Sequence, residues 1–407
     1  MSSVQIASNA AGAGVFTIAS PNSASSYTLT LPETTGTLIA GVATEAQGGI
    51  GTTVGYNGFK NRIINGAMVI DQRNAGASVS GTSAVYTVDR WAVQNNSGAA
   101  RFNVQQNVNS VTPPAGYKYY LGVTSTSAYT VASTDVIGIN QFIEGYNIAD
   151  LAWGTASAAP VAFSFWVRSS LTGTFGGSLI EANAGTAFYP FTYTISAANT
   201  WEQKTVTIAG PTIGTWNSTN ARGIQVLFNL GTGSTYIGAA GSWTANSYYA
   251  ATGATNFVAT NGATFYITGV QLEKGSTATS FDYRPYGTEL QLCQRYFEMS
   301  YELGTAPAAV TTTGIRNFAF AISGASNGSG GVTFQVTKRA TPTIATYDGA
   351  GTANNVSTTP ATGTTFTNGR AYAAAPFNIS TSGFFHPGQS TAAGANNFVQ
   401  FTASSEL

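Results

Sequence analysis

The run Val161-Ala162-Phe163-Ser164-Phe165-Trp166-Val167-Arg168 places apolar side chains at every second position. This period of two predicts a half-buried β-strand. The same pattern recurs in the segments 191–195, 206–208, 224–230 and 265–272, which are separated by turns rich in Gly, Asn and Ser. Short alternating strands at such spacing are typical of antiparallel sandwiches. We therefore predict a mainly β chain in which residues 61–286 form a central jelly-roll-like β-sandwich with Trp91, Trp166 and Trp201 in its core.

A different period follows, in the segment 287–298. Leu290, Cys293 and Phe297 recur at helical spacing, and Thr288 with Gln291 matches a capping box, which predicts a helix that begins near residue 288. Residues 287–300 are thus predicted to be a short amphipathic helix linker. Its stripe of Leu290, Cys293 and Phe297 is the predicted oligomer interface. Cys293 is the only cysteine, so it is expected to be a buried small hydrophobe without redox function.

The two flanks of the chain also contain strand patterns. Residues 301–407 include the runs 332–336 and 398–401 and almost no charge, which predicts a C-terminal β-sandwich. Residues 1–60 contain short alternating runs that end in a glycine-rich stretch at 48–51. This segment has too little apolar volume for a globule of its own, so it is predicted to be an intertwined attachment segment that shares a core with neighbouring copies.

The composition restricts the partners. Only 8% of the residues are charged and the net charge is zero, so the basic surface of a nucleic-acid-binding protein is missing. No run of about 18 apolar residues indicates membrane insertion, and the N-terminus has no secretory signal pattern. The 43% hydrophobic residues supply enough apolar surface for ordered structure. Because no intrachain disulfide can form, durability is expected to come from association of copies.

Three motifs carry a resemblance to a known family: Asn61–Arg73, Tyr86–Trp91 and Gly269–Tyr296. Together they resemble bacteriophage tail-fibre and receptor-binding virion proteins. The resemblance implies a homotrimer that is made in the host cytoplasm and located in the virion. Its N-terminal segment would attach to phage tail or baseplate proteins, and its distal tip, residues 301–407, would face the host. The implied function is adsorption by binding a host-surface polysaccharide, without catalysis and without a cofactor.

Two alternatives remain. A structural virion component, such as a baseplate, collar or head-decorating protein, would bind other virion proteins instead of a receptor. A polysaccharide-degrading tailspike would need clustered carboxylates and usually a long regular repeat, which the sequence lacks.

Aromatic residues supply the candidate carbohydrate-binding positions, since ring faces stack on the apolar faces of sugars. They lie in loops rich in Gly, Ser, Thr and Asn, whose side chains can bond hydroxyls: Trp216, Tyr236, Trp243, Tyr248 and Tyr249. Core filling or packing between copies is the rival interpretation for each of them.

Catalytic and metal patterns are weak. Gly324-Ala325-Ser326-Asn327-Gly328, with Asp348 and His386 after it, matches a hydrolase elbow, but a strand and not a helix is predicted to follow it. Glu144, Asp150 and Glu181 are the acids most easily placed near loops for a glycosidase, although no pair of them is distinguished. A single histidine cannot build a two-histidine metal site within one chain, and the sequence locates no calcium site. The chain is predicted not to be an enzyme.

Overall fold

The computed structural model describes residues 59–319, 328–357, 372–373, 375–388 and 396–407. The chain divides into two compact units, Met1–Asn57 and Gly58–Leu407, and only the second is described. The predicted attachment segment, residues 1–60, therefore lies almost wholly outside the described residues, as do Gly324 to Asn327 of the hydrolase-like motif. The predicted boundaries at residues 286 and 300, and the homotrimer, stay predictions.

Between residue 59 and the helix, the structure describes thirteen strands: β1 Val79–Ser80, β2 Ala92–Asn95, β3 Phe102–Gln106, β4 Leu121–Ser125, β5 Val136–Glu144, β6 Val161–Ser169, β7 Gly173–Glu181, β8 Phe188–Ile195, β9 Glu202–Ile208, β10 Arg222–Thr232, β11 Ile237–Gly238, β12 Ala250–Ala251 and β13 Thr264–Lys274. Sheet A has the order β1-β3-β4-β13-β6-β9, and sheet B has the order β2-β5-β10-β7-β8. Every pairing within the two sheets is antiparallel. Strands β11 and β12 form a separate parallel pair.

The two sheets face each other across a phenylalanine-rich core. Phe163 and Phe165 of sheet A lie with their ring centroids 5.7 and 5.0 Å from that of Phe228 in sheet B. Phe175 of sheet B similarly stacks on Phe265 of sheet A at 6.0 Å. All five side chains are fully buried. The mainly β fold and its central β-sandwich are thus confirmed.

Of the three tryptophans predicted to lie in the core, one is fully buried and two are not. Trp91 is fully buried, as predicted. Trp166 and Trp201 are only half-buried. Trp166 alternates with the inward-facing Phe165 and Val167 of β6, so its ring lies on the outer face of sheet A.

The helix α1 spans Tyr286–Gln294, so it begins near the predicted residue but ends earlier than predicted. The carbonyl of Pro285 accepts hydrogen bonds from the backbone N–H groups of Thr288 and Glu289, at 2.9 and 3.1 Å, so the first turn begins at the proline. No side-chain capping bond is present at this end, and the capping box is therefore wrong. Phe297 lies beyond the helix in the strand β14, Phe297–Met299.

The apolar stripe of α1 is covered by its own chain. Cys293 is fully buried and packs with Ile64, Ile70 and Leu407, while Leu290 is half-buried at the edge of this cluster. Phe297 is also buried, in a separate cluster. Cys293 and Phe297 are thus buried within one protomer by segments distant in sequence. The predicted oligomer interface at Leu290, Cys293 and Phe297 stays a prediction. Burial also raises the pKa of the Cys293 thiol, which keeps it in the unreactive protonated form.

The C-terminal region is built on one long strand. The strands after β14 are β15 Arg316–Ala319, β16 Gly328–Thr333, β17 Thr343–Tyr347, β18 Asn355–Val356, β19 Tyr372–Ala373, β20 Gly383–Gly388 and β21 Asn396–Ser404. Strand β21 pairs with β14, β15 and β17, and β16 pairs with β20. Phe384 of β20 packs against Phe401 of β21, with ring centroids 5.3 Å apart. No helix in the described part of the chain is long and apolar enough to cross a membrane.

The three motifs that carry the family resemblance meet in one hydrogen-bonded region, the motif junction. The Asn61 amide donates to the Val270 carbonyl at 3.0 Å, and its oxygen accepts from the N–H groups of Ile63 and Leu272 at 2.9 and 3.0 Å. The carbonyl of Gly66 accepts from Val270 N–H at 2.9 Å. A Cβ atom at Gly66 would lie 2.1 Å from the Val270 oxygen, so this close approach requires glycine.

The second half of the motif junction centres on a buried carboxylate. Asp89 is fully buried and accepts hydrogen bonds from the backbone and side chain of Gln72, both at 2.7 Å. Gln72 also donates to the Phe297 carbonyl at 2.9 Å, which ties the sandwich to β14. Burial raises the pKa of Asp89 to about 6, although the nearby Arg73 opposes the shift. The motif residues therefore hold the fold together rather than forming an exposed site.

Candidate glycan-binding site

Three tryptophans and one tyrosine meet in a compact group, which we call the tryptophan cluster. The ring centroid of Trp153 lies 4.7 Å from that of Trp216 and 5.4 Å from that of Trp243. Trp216 and Trp243 are 5.5 Å apart, and Tyr189 lies 5.3 Å from Trp243. Trp153 and Tyr189 are buried, whereas Trp216 and Trp243 are half-buried. The cluster thus presents parts of two rings to solvent on a buried aromatic base.

Backbone hydrogen bonds fix the three indoles. Each N–H donates to a carbonyl: Trp153 to Ala159 at 2.8 Å, Trp216 to Ile213 at 2.9 Å and Trp243 to Ala209 at 2.6 Å. A ligand at the cluster would therefore find no free indole donor. It would meet ring surfaces whose orientation is already set, and this reduces the entropy lost on binding.

The loops that carry the exposed rings are uncharged. The segments 209–221 and 233–263 contain no Asp, Glu, Lys, Arg or His. Thr212, Thr215 and Ser242 are exposed near the rings in sequence, and Asn217 is half-buried. Hydroxyl and amide groups beside an apolar ring surface can bond sugar hydroxyls while the ring covers the C–H face of the sugar.

The five predicted carbohydrate-binding residues do not form one site. Trp216 and Trp243 belong to the tryptophan cluster, but Tyr236 and Tyr249 pair with each other at 5.5 Å. Tyr249 also packs on Phe188, at 5.3 Å, in a cluster separate from the main core. Phe188 and Tyr189 are consecutive residues of β8 and so point to opposite faces of sheet B. The tyrosine pair is thus on the outer face of the sheet.

Tyr248 has a packing role. A Cβ atom at Gly238 would lie 2.2 Å from the Tyr248 ring, so this ring rests directly on the glycine backbone. Sequence reasoning missed Trp153 and Tyr189, which form the base of the tryptophan cluster. Trp153 lies in a Gly- and Ser-containing segment like those of the predicted residues, and this was the available signal.

Each of the three candidate acids is engaged in holding the fold. Glu144 accepts two hydrogen bonds from Arg295, at 2.9 and 2.6 Å, and one from the Tyr296 hydroxyl at 2.6 Å. Asp150 forms an ion pair with Arg62 at 2.8 Å. Glu181 accepts hydrogen bonds from the backbone N–H groups of the turn at 183–186. These contacts give each carboxylate a structural role.

The remaining candidates for chemistry lie in the C-terminal region. Asp348 accepts hydrogen bonds from the backbone of Ala350 and Thr352 at 3.0 and 2.8 Å and so stabilises a turn. His386 is buried in β20. Within the described ranges, no group of three or more His, Cys, Asp or Glu side chains could hold a metal ion.

Comparisons with known proteins return remote structural likenesses. No family model and no curated protein matches the sequence. A CBM4 structure matches at 15% identity and a TM-score of 0.26, covering 52% of this chain and 98% of the other. The CBM22-1 xylan-binding domain from Paenibacillus barcinonensis Xyn10C matches at 12% identity and a TM-score of 0.26, covering 50% and 99%. The enzymatically active domain of bacteriophage CBA120 tailspike protein 4 matches at 12% identity and a TM-score of 0.28, and the match covers 53% of this chain and 21% of the other. Likeness at this level does not indicate a shared ligand or activity.

Proposed function

We propose that this chain binds a host-surface polysaccharide through the tryptophan cluster and does so without catalysis. The observation that carries the proposal is the pair of half-buried rings, Trp216 and Trp243, fixed on the buried Trp153 and surrounded by uncharged loops. Rigid ring faces beside hydroxyl and amide groups match the alternating apolar and polar surfaces of a sugar. This is a different position from the distal tip predicted at residues 301–407.

We place this binding activity in a phage tail fibre. The support is the resemblance carried by the motifs at 61–73, 86–91 and 269–296, which meet in the motif junction although they are far apart in sequence. On this proposal the protein is a homotrimer in the virion, and residues 1–60 attach it to tail or baseplate proteins.

The test compares two tryptophan variants that differ in location. Trp243→Ala removes an exposed ring of the cluster. Trp201→Ala is the matched control, because Trp201 is also half-buried, donates its indole N–H to the Thr112 carbonyl at 2.9 Å and packs on Tyr120 at 5.7 Å, but it lies outside the cluster. Both variants should lose some stability, since both remove ring contacts.

The two variants should differ in glycan binding. On a glycan array and in adsorption to host cells, Trp243→Ala should bind at least about tenfold more weakly, which corresponds to ~1.4 kcal/mol. Trp201→Ala should stay within about twofold of the wild type. Equal binding by Trp243→Ala and wild type would contradict the proposed site. Failure of the wild-type protein to bind any glycan would favour the structural virion component, and release of sugar from the polysaccharide would favour the tailspike.

A further inference from the structure

A buried carboxylate is connected to the tryptophan cluster through two hydrogen bonds. The N–H of Thr215, next to Trp216, donates to the Thr186 hydroxyl at 3.2 Å, and this hydroxyl donates to the Glu181 carboxylate at 3.0 Å. Glu181 is fully buried. Its hydrogen-bond partners in the described part of the chain are backbone N–H groups and the Thr186 hydroxyl, so no Arg or Lys neutralises it.

Some cations of the sandwich lie beside aromatic residues outside the cluster. On the outer face of sheet A, the Arg168 guanidinium lies 5.3 Å from the Tyr266 ring centroid, and Trp201 packs on the same ring at 6.3 Å. Lys204 is in the neighbouring strand β9. The chain therefore has an aromatic surface with positive charge, but that surface is not the tryptophan cluster.

This distribution of charge has a consequence for the ligand. A carboxylate or phosphate on a sugar that stacked on Trp216 or Trp243 would lose part of its hydration, and the loops at 209–221 and 233–263 contain no charged residue to compensate it. Arg339 contacts the first loop, but its guanidinium already donates to the carbonyls of Asn220, Ser405 and Glu406. The buried charge of Glu181 would add repulsion, because low-dielectric surroundings screen it poorly. Neutral sugars carry neither cost.

We propose that the tryptophan cluster selects uncharged polysaccharides, built from neutral hexoses, and rejects chains that carry uronic acid, sialic acid or phosphate groups. This inference rests on the proposed function of the same cluster. Selectivity arises because the cost of desolvating an unpaired charge falls only on the acidic ligand.

The experiment uses polysaccharides that differ only in charge. Dextran, pullulan, mannan and galactan are presented beside their carboxymethylated forms to the full-length protein. At least one neutral polymer should bind, and its carboxymethylated form should bind at least about tenfold more weakly at both low and high salt. Equal or tighter binding of the carboxymethylated form by the wild type would overturn the inference while leaving glycan binding intact.

Two charge variants complete the design. Thr215→Lys and Ser242→Lys each place a cation on an exposed position beside a ring of the cluster. Each folded variant should improve binding of the carboxymethylated polymer severalfold, and the gain should decrease as salt is added. No gain in either folded variant would contradict the charge argument. Absence of binding to every polymer in both forms, together with absence of binding to the glycan array and to host cells, would instead refute the proposed function and this inference with it.

Discussion

Asp89→Asn should remove a pH dependence of stability that the wild-type protein shows between pH 4 and pH 7. The carboxyl is fully buried, and burial raises its pKa from 3.8 to about 6 against the opposing charge of Arg73. The folded chain therefore holds the proton more tightly than the unfolded chain does. Its stabilising contribution is complete below pH 3.8 and is lost as the pH rises through about 6.

The size of the effect follows from the shift. A change from 3.8 to about 6 is roughly 2 pKa units. At about 1.4 kcal/mol per unit, the wild type should lose ~3 kcal/mol of unfolding free energy relative to Asp89→Asn. The variant cannot ionise at this position, so it serves as the baseline for all other titrating groups, including the neighbouring Asp71.

Urea titrations at pH 4, 5, 6 and 7 measure this difference, with tryptophan fluorescence and circular dichroism followed together to check that the transition is cooperative. The quantity of interest is the unfolding free energy of the wild type minus that of the variant at each pH. It should fall as the pH rises. A difference that stays constant within about 0.5 kcal/mol, or that rises with pH, would refute the account of Asp89 as a carboxyl whose ionised form is disfavoured by burial.

Gly66→Ala should lower the free energy of unfolding by ~2 kcal/mol or more, because the added Cβ would lie 2.1 Å from the Val270 oxygen. Gly287→Ala is the control, since Gly287 lies in α1 with open space around it, and this variant should be neutral or stabilise by up to ~1 kcal/mol. Thermal unfolding of both variants tests this, and equal melting temperatures would contradict the close approach. Glu144→Gln should cost ~2–3 kcal/mol, since it leaves the half-buried Arg295 without its carboxylate partner. Urea unfolding with no loss of stability would show that this ion pair adds nothing.

The sandwich could be predicted because the alternation of apolar residues along each strand shows which side chains face the core. Phe163, Phe165 and Val167 alternate with polar or half-buried residues, and all three are fully buried in the structure. The order of the strands within each sheet could not be predicted in the same way. Alternation shows which side chains face inward, but it does not show which strands are neighbours.

The helix shows where local patterns fail. Leu290, Cys293 and Phe297 have helical spacing, but the chain leaves the helix after Gln294 and Phe297 enters β14. The buried partners of Cys293 come from Ile64, Ile70 and Leu407. A stripe of apolar residues shows that something covers it, and local sequence does not reveal whether that cover is another chain or a distant segment of the same one.

The types of residue in the candidate site could be predicted, but only some of the individual residues could. Aromatic residues in uncharged loops indicated sugar contact, and Trp216 and Trp243 do lie together. Trp153 joins them from a loop some sixty residues earlier, through contacts that the tertiary fold creates. Tyr236 and Tyr249 were expected at the same site but lie on the opposite face of β8. Consecutive side chains of a strand point to opposite faces, so Phe188 contacts the tyrosines while Tyr189 contacts Trp243.

The motif junction also affects how the protein is made. Asn61 bonds to Val270 and Gln72 bonds to Phe297, so these contacts span 209 and 225 residues. At roughly 5–20 residues per second, a ribosome needs about 10–45 s to add the segment that separates the partners. Throughout this interval, Ile63, Ile64 and their neighbours lack the surfaces that later bury them. Nascent chains on one messenger RNA therefore carry exposed apolar segments at the same time, which favours aggregation during synthesis.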